Sequence, residues 1–170
     1  MILSDYSIFE VLKFNELRII PFPKDKDIQP CSIDFHLGGE LKTIDGKTID
    51  ILHDTYNIKP KEFLLGCTLE YIEMPKHLCG QVDGKSSIGR LGIFIENAGF
   101  IDPNFRGNIT LEIYNASDKE FELGSGMSIC QLVLFALTSE PSRVYGEVGN
   151  HYQDSEGAVL SRYNKEHDMD

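Results

Sequence analysis

From residue 32 to residue 137, short runs of alternating apolar and polar residues are broken repeatedly by glycine, proline, asparagine and aspartate. A β-fold satisfies that rhythm and a helical bundle does not. In 32–37, Ile33, Phe35 and Leu37 alternate with Ser32, Asp34 and His36 before Gly38-Gly39 closes the run. Further strands are predicted over 17–22, 41–44, 47–52, 62–71, 78–82, 93–95, 108–114, 121–123 and 128–135. Asp102-Pro103-Asn104 and Gly124-Ser125-Gly126 supply turns. One short helix is expected, capped by Ser4 or Asp5 and running to about Lys13, with Ile8, Val11 and Leu12 on one face. Together these elements indicate an all-β fold, a β-barrel or jelly-roll sandwich. At 170 residues, with no repeat or shift in composition, a single domain over 1–170 is expected. The polar stretch 151–170, taken alone, reads as a mobile tail.

Charge narrows the function. A net charge of −11 argues against a general nucleic-acid binder, because phosphate backbones select clustered Lys and Arg. Any phosphate site must therefore be local. The longest apolar run, 132–137, is far short of a membrane span, and no basic-then-apolar leader opens the chain, so a cytoplasmic protein is expected. Cys31, Cys67, Cys79 and Cys130 are scattered, and neither a Cys-x-x-Cys nor a His-x-Glu segment occurs. The zinc-dependent base deaminases need both, so the four cysteines are expected to be reduced, partly buried thiols.

Three segments could carry chemistry. Gly84-Lys85-Ser86-Ser87-Ile88-Gly89-Arg90-Leu91-Gly92 packs three glycines, two hydroxyls and two cations into nine residues. That suits either a polar turn or a loop that wraps an anion. A nucleotide-binding P-loop is excluded, because the glycine it needs five residues before Gly84 is Cys79. Asn97-Ala98-Gly99-Phe100-Ile101-Asp102-Pro103 puts an acid at the mouth of a turn, where it either starts the turn or faces a ligand. In 108–115, Ile109, Leu111 and Ile113 share one strand face and leave Thr110, Glu112 and Tyr114 on the other. Glu112 is a solvated surface residue unless that face lines a pocket; partly desolvated there, it could take a proton from water.

Taken in order, these segments resemble the dCTP deaminases along most of the chain. Met1-Ile2-Leu3-Ser4-Asp5 is similar to that family's start, and 28–38 to its Gln-Pro-Ala-Ser-x-Asp-x-x-Leu-Gly stretch. Residues 85–92 resemble its Arg-Ser-Ser-x-x-Arg-Leu-Gly. Ile101-Asp102-Pro103, 107–115 and 126–132 follow in register, and Tyr152, Gly157-Ala158-Val159 and Ser161-Arg162 within 151–170 resemble the family's C-terminal tail that closes over the nucleotide. The resemblance implies a homotrimer of distorted jelly rolls, the fold shared with trimeric dUTP pyrophosphatases, with active sites between subunits. It implies a zinc-free deamination in which Glu112 is general base and then acid. Ser86 and the backbone carbonyl of Ala98 would position the water, and Arg90 would hold Glu112 and offset ring charge. Lys85, Ser86, Ser87 and Gln131 would face the phosphates, and Arg90, Asn97, Asp102, Tyr145, Tyr152 and Gln153 would complete the nucleotide site. Mg²⁺ would bridge phosphate oxygens, with Asp34 reaching it through water.

Departures point within the family. Glu96-Asn97 stands where single-activity deaminases carry a His-Val-Thr-like stretch one residue longer, which looks more like the bifunctional members that go on to dUMP. In those, the acid matching Asp102 binds the sugar 3′-hydroxyl or prepares a water for the α-phosphorus. His151 stands where many members carry Lys, and Ser155 where they carry Gln. The expected ligands are dCTP and dUTP, with dTTP a candidate inhibitor. The alternatives are a dUTP diphosphatase on the same fold, and a catalytically silent nucleotide sensor.

Overall fold

The computed structural model describes residues 1–96, 100–147, 149 and 151–163. The structure is a distorted jelly roll of two antiparallel sheets. The first sheet runs β5 (Thr48–Asp50), β4 (Glu40–Lys42), β7 (Phe63–Glu73), β11 (Arg106–Asn115) and β9 (Ile93–Glu96). One end of β7 also pairs with β1 (Arg18–Ile20). The second sheet runs β10 (Phe100–Ile101), β8 (Leu78–Gly84), β13 (Ser128–Ala136), β3 (Ser32–His36) and β2 (Ile28–Gln29). A separate ribbon joins β6 (Thr55–Ile58) to β12 (Phe121–Gly124).

The alternation seen in the sequence builds the core between the sheets. Ile109, Leu111 and Ile113 of β11 and Leu64 and Ile72 of β7 are buried with Ile33 and Phe35 of β3 and Leu132 and Leu134 of β13. Leu111 is fully buried, so its truncation to Ala is expected to destabilise the fold by about 2–5 kcal/mol. The helix α1 (Asp5–Lys13) has the predicted span and buries Ile8 and Leu12. Its cap differs from expectation. Ser4 occupies the N-cap without a side-chain bond, and the Asp5 carboxylate instead accepts the Tyr6 N–H at 2.8 Å. A second helical turn, α2 (Ser86–Gly89), lies where the sequence suggested a polar loop; Ile88 is buried beneath it and anchors it.

The stretch that reads as a mobile tail on composition alone is held to the body of the fold. As far as residue 163 it is docked onto the first sheet: Gly107 and Ser155 form a parallel bridge, and the Asn108 N–H donates to the Ser155 carbonyl at 2.8 Å. All four cysteines are free thiols, three of them buried. No helix among the described residues is long and apolar enough to cross a membrane.

Candidate active site

The outward face of β11 carries Asn108, Thr110, Glu112 and Tyr114, each only partly buried, while their neighbours are sealed in the core. A β-bulge between Asn108 and Thr110 sets this face. The Ile109 N–H, displaced from the ladder, donates to Thr68 Oγ1 at 2.9 Å, and the Asn108 amide donates to the carbonyls of Thr68 and Glu70 at 3.0 and 3.1 Å. Over this face opens a cavity of about 740 Å³. Its polar groups are Asp102, Asn108, Thr110, Glu112, Tyr145, Tyr152, Ser155 and Ser161, and its apolar walls come from Phe63, Leu65, Phe100, Phe105 and Leu160. Apolar walls around a few convergent polar groups are what a flat, polar-edged ligand needs.

Glu112 faces Leu65 on β7 and Glu96 on β9, directly opposite in register. Partial burial, and secondarily the Glu96 carboxylate, push the Glu112 carboxyl up from its ordinary value. No cation pairs with Glu112 among the described residues. Asp102 starts the expected turn, its carbonyl accepting the Phe105 N–H at 3.1 Å, and its side chain is exposed on the cavity wall. Tyr145 stacks edge-on against Phe105 at 5.5 Å. Burial pushes its phenol up, so it remains a hydrogen-bond donor at neutral pH.

The tail roofs the cavity through main-chain bonds. The N–H groups of Gly157 and Val159 donate to Asn108 Oδ1 at 3.3 Å and Thr110 Oγ1 at 3.1 Å. Between them, Ala158 is gripped from both sides: its N–H donates to Glu40 Oε1 at 2.9 Å, and its carbonyl accepts from Lys42 Nζ at 2.6 Å. Gly157 has φ +67°, a conformation that favours glycine, and a Cβ there would press on the Glu40 carboxylate and force it to shift. Upstream, Arg106 forks onto Asp154 at 2.9 and 3.1 Å, and the Arg162 guanidinium lies 5.4 Å from the Tyr152 ring.

The other predicted residues lie elsewhere. Lys85, Ser86, Ser87, Arg90 and Gln131 do not line this cavity. Ser86, Ser87 and Arg90 are exposed, whereas Lys85 is held by Asp34 at 2.5 Å and Ser128 at 3.0 Å. Gln131 donates to the other oxygen of Asp34 at 3.2 Å. Just past the end of β11, the Ala116 N–H donates to the Gly92 carbonyl at 2.8 Å. One chain thus brings Glu112, Asp102, Tyr145 and Tyr152 together and leaves the 85–90 loop apart. Gln153 faces inward to the backbone, accepting from the Arg106 N–H at 3.1 Å and donating to the Asn104 carbonyl at 2.8 Å. Ala98 and Asn97 lie outside the described residues. Sequence reasoning missed Asn108, Glu40 and Lys42; their only signal was a polar residue on the outward side of a short strand.

Comparison with known proteins agrees with this architecture. A model of the family described as dCTP deaminase-like matches residues 2–137. A protein of Aquifex aeolicus named "dCTP deaminase, dUMP-forming" is 41% identical over 99% of this chain and 98% of its own length. A protein of the same name from Corynebacterium jeikeium is 39% identical over 95% of this chain and 96% of its own length. Among solved structures, the 2′-deoxycytidine 5′-triphosphate deaminase of Agrobacterium tumefaciens superposes with a TM-score of 0.67 at 21% identity. That match covers 80% of this chain and 48% of the other. The dUTPase of Staphylococcus bacteriophage 80alpha superposes at 0.55 with 17% identity, over 77% of this chain and 97% of its own. At those identities the two structures speak for the fold alone.

Proposed function

The chain belongs to the dCTP deaminase-like family, and on that premise we propose that it converts dCTP to dUMP, deaminating the base and then releasing pyrophosphate. The observation that carries this is the cavity on the outward face of β11, with a partly desolvated Glu112 and an exposed Asp102 in one wall. The relatives named as dUMP-forming support the second step.

In the first step Glu112 takes a proton from water, hydroxide adds at C4 of cytosine, and Glu112 returns the proton to the amino group, which leaves as ammonia. A carboxyl with raised proton affinity suits both halves of that exchange. Arg90 is supplied by a second copy of the chain, because no arginine of the same chain pairs with Glu112 among the described residues. With it come Ser86 and Ser87, so the working unit is an oligomer, a homotrimer in this proposal. In the second step Asp102 holds the sugar 3′-hydroxyl or aligns a second water on the α-phosphorus, and the products are dUMP and pyrophosphate. The chemistry needs no zinc. Mg²⁺ arrives as the counter-ion of the triphosphate. Buried free thiols suit a reducing compartment, and the cytoplasm is proposed as its place.

Incubation with dCTP and Mg²⁺ tests this, with ammonia measured and dUTP resolved from dUMP. Ammonia with dUMP is expected. Ammonia with dUTP alone would remove Asp102 from catalysis, and hydrolysis of added dUTP without any ammonia would make the protein a dUTP diphosphatase.

A further inference from the structure

The second sheet holds a polar cluster that the cavity does not use. Asp34 on β3 lies opposite Gln131 on β13, and Lys85 leaves β8 just after Gly84 pairs with Cys130. Lys85 Nζ donates to Asp34 Oδ2 at 2.5 Å and to Ser128 Oγ at 3.0 Å, while the Gln131 amide donates to Asp34 Oδ1 at 3.2 Å. Each oxygen of the carboxylate therefore already has a donor. The Asp34 side chain is 8% exposed and that of Lys85 24%, so the pair presents its positive end to solvent.

These residues do not fit a Mg²⁺ ligated directly by Asp34. That ion demands a near-octahedral oxygen shell and is usually bound by one or two carboxylates with free lone pairs. Here an ammonium lies against one oxygen and an amide against the other. No three His, Cys, Asp or Glu side chains converge as metal ligands among the described residues.

We propose that Asp34 is a positioning residue, which with Ser128 and Gln131 fixes the Lys85 ammonium as a built-in cation for the triphosphate, so that no Mg²⁺ is held by Asp34. This rests on the nucleoside-triphosphate assignment above and changes the role of one of its residues. An ammonium has three N–H donors; two are engaged and one remains for a phosphate oxygen. A free lysine would have to give up much rotamer freedom to bind, and here that ordering is done in advance.

The test uses Asp34→Asn, Lys85→Met and the double variant, each checked by thermal unfolding. Affinity for tripolyphosphate is measured by calorimetry, and Mn²⁺ uptake by the nucleotide-free protein by electron paramagnetic resonance. Asp34→Asn is expected to weaken tripolyphosphate binding about tenfold, because Lys85 must then be ordered at the expense of binding; unchanged or tighter binding would overturn the proposal. The double variant should bind no worse than Lys85→Met alone, because Asp34 acts through Lys85. For dCTP, KM should rise with kcat within about threefold, a split that a loss of structure would not give. If Asp34→Asn unfolds, Lys85→Arg, which keeps a cation facing Asp34, should retain tripolyphosphate affinity while Lys85→Met loses it. Additive effects, or a Mn²⁺ site present in the natural chain and abolished by Asp34→Asn, would overturn the proposal. Failure of the natural chain to release ammonia would sink the deaminase assignment alone, since tripolyphosphate and Mn²⁺ binding are read without turnover.

Discussion

In the proposed reaction the outward face of β11 and the 85–90 loop carry the two halves of one chemistry, and the chain treats them in opposite ways. Around Glu112 it builds an enclosure with apolar walls, a like charge across the strand pair and the chain's own tail as roof. Around the loop it builds almost nothing: Ser86, Ser87 and Arg90 stand in solvent, and only Lys85 is tied down. A carboxylate that must hold a proton gains from desolvation, which one chain can supply by itself. Cations that must meet a polyanion lose by burial, so they are better left exposed and, in the proposed trimer, brought to the acid by a neighbour. The division of labour follows from the electrostatics of the two groups.

The sharpest way to break this contrast is Glu112→Gln, which keeps shape and removes the base. Deamination is expected to fall by at least ~10², and near-normal ammonia release would remove Glu112 from the chemistry. Next comes subunit mixing. Glu112→Gln and Arg90→Gln chains should each be nearly inactive, while co-refolded mixtures should regain at least about tenfold over either, since some interfaces then pair an intact acid with an intact cation. Absence of rescue would place both residues in one chain's site. Asp102→Asn sharpens the comparison within the cavity wall: pyrophosphate release should drop about tenfold and ammonia release less than threefold. Equal loss of both would make Asp102 a shaper of the sugar site.

Smaller effects probe the roof and the raised proton affinity. Gly157→Ala must adopt a left-handed conformation at about 1–2 kcal/mol and also meets Glu40, so KM for dCTP should rise several-fold with faster proteolysis of the tail. An unchanged KM would mean the roof is dispensable. The smallest effect is on stability. The folded-state value of Glu112 is raised, so its charged form is disfavoured in the fold at any pH where it is ionised. Glu112→Gln should therefore raise Tm slightly at pH 7. The gain should shrink as pH falls through the raised value and vanish below the ordinary carboxylate range, where folded and unfolded chains are both protonated. A lowered Tm at pH 7 would mean that Glu112 gains a partner in the assembled protein.

Much of this was legible in the sequence, and the reasons differ by element. Ile109, Leu111 and Ile113 announced their buried face because a strand writes its two faces in alternate letters, and Glu112 followed as the polar remainder. The β6–β12 ribbon gave no comparable signal in Thr55-Tyr56-Asn57-Ile58, where Ile58 alone is fully buried. The bulge at 108–110 was invisible because it depends on Thr68, some forty residues away. Docking of the tail was hidden for another reason. Its donors are the N–H groups of Gly157, Ala158 and Val159, which every residue except proline owns, so only Gly157 and the small Ala158 carry any trace of it. Gln153, which the family resemblance assigns to the nucleotide site, has both ends of its amide bonded to the 104–106 turn here.

The grip on Ala158 has a consequence for how such a protein can be altered. Glu40 and Lys42 read the peptide unit and ignore the letter it carries, provided the side chain is small and glycine precedes it. The path of the lid is thereby separated from its vocabulary. Residues beyond Gly157 and Ala158 can then be exchanged, lengthened or borrowed from another chain with the gripped peptide unit still fixing where the lid crosses β4.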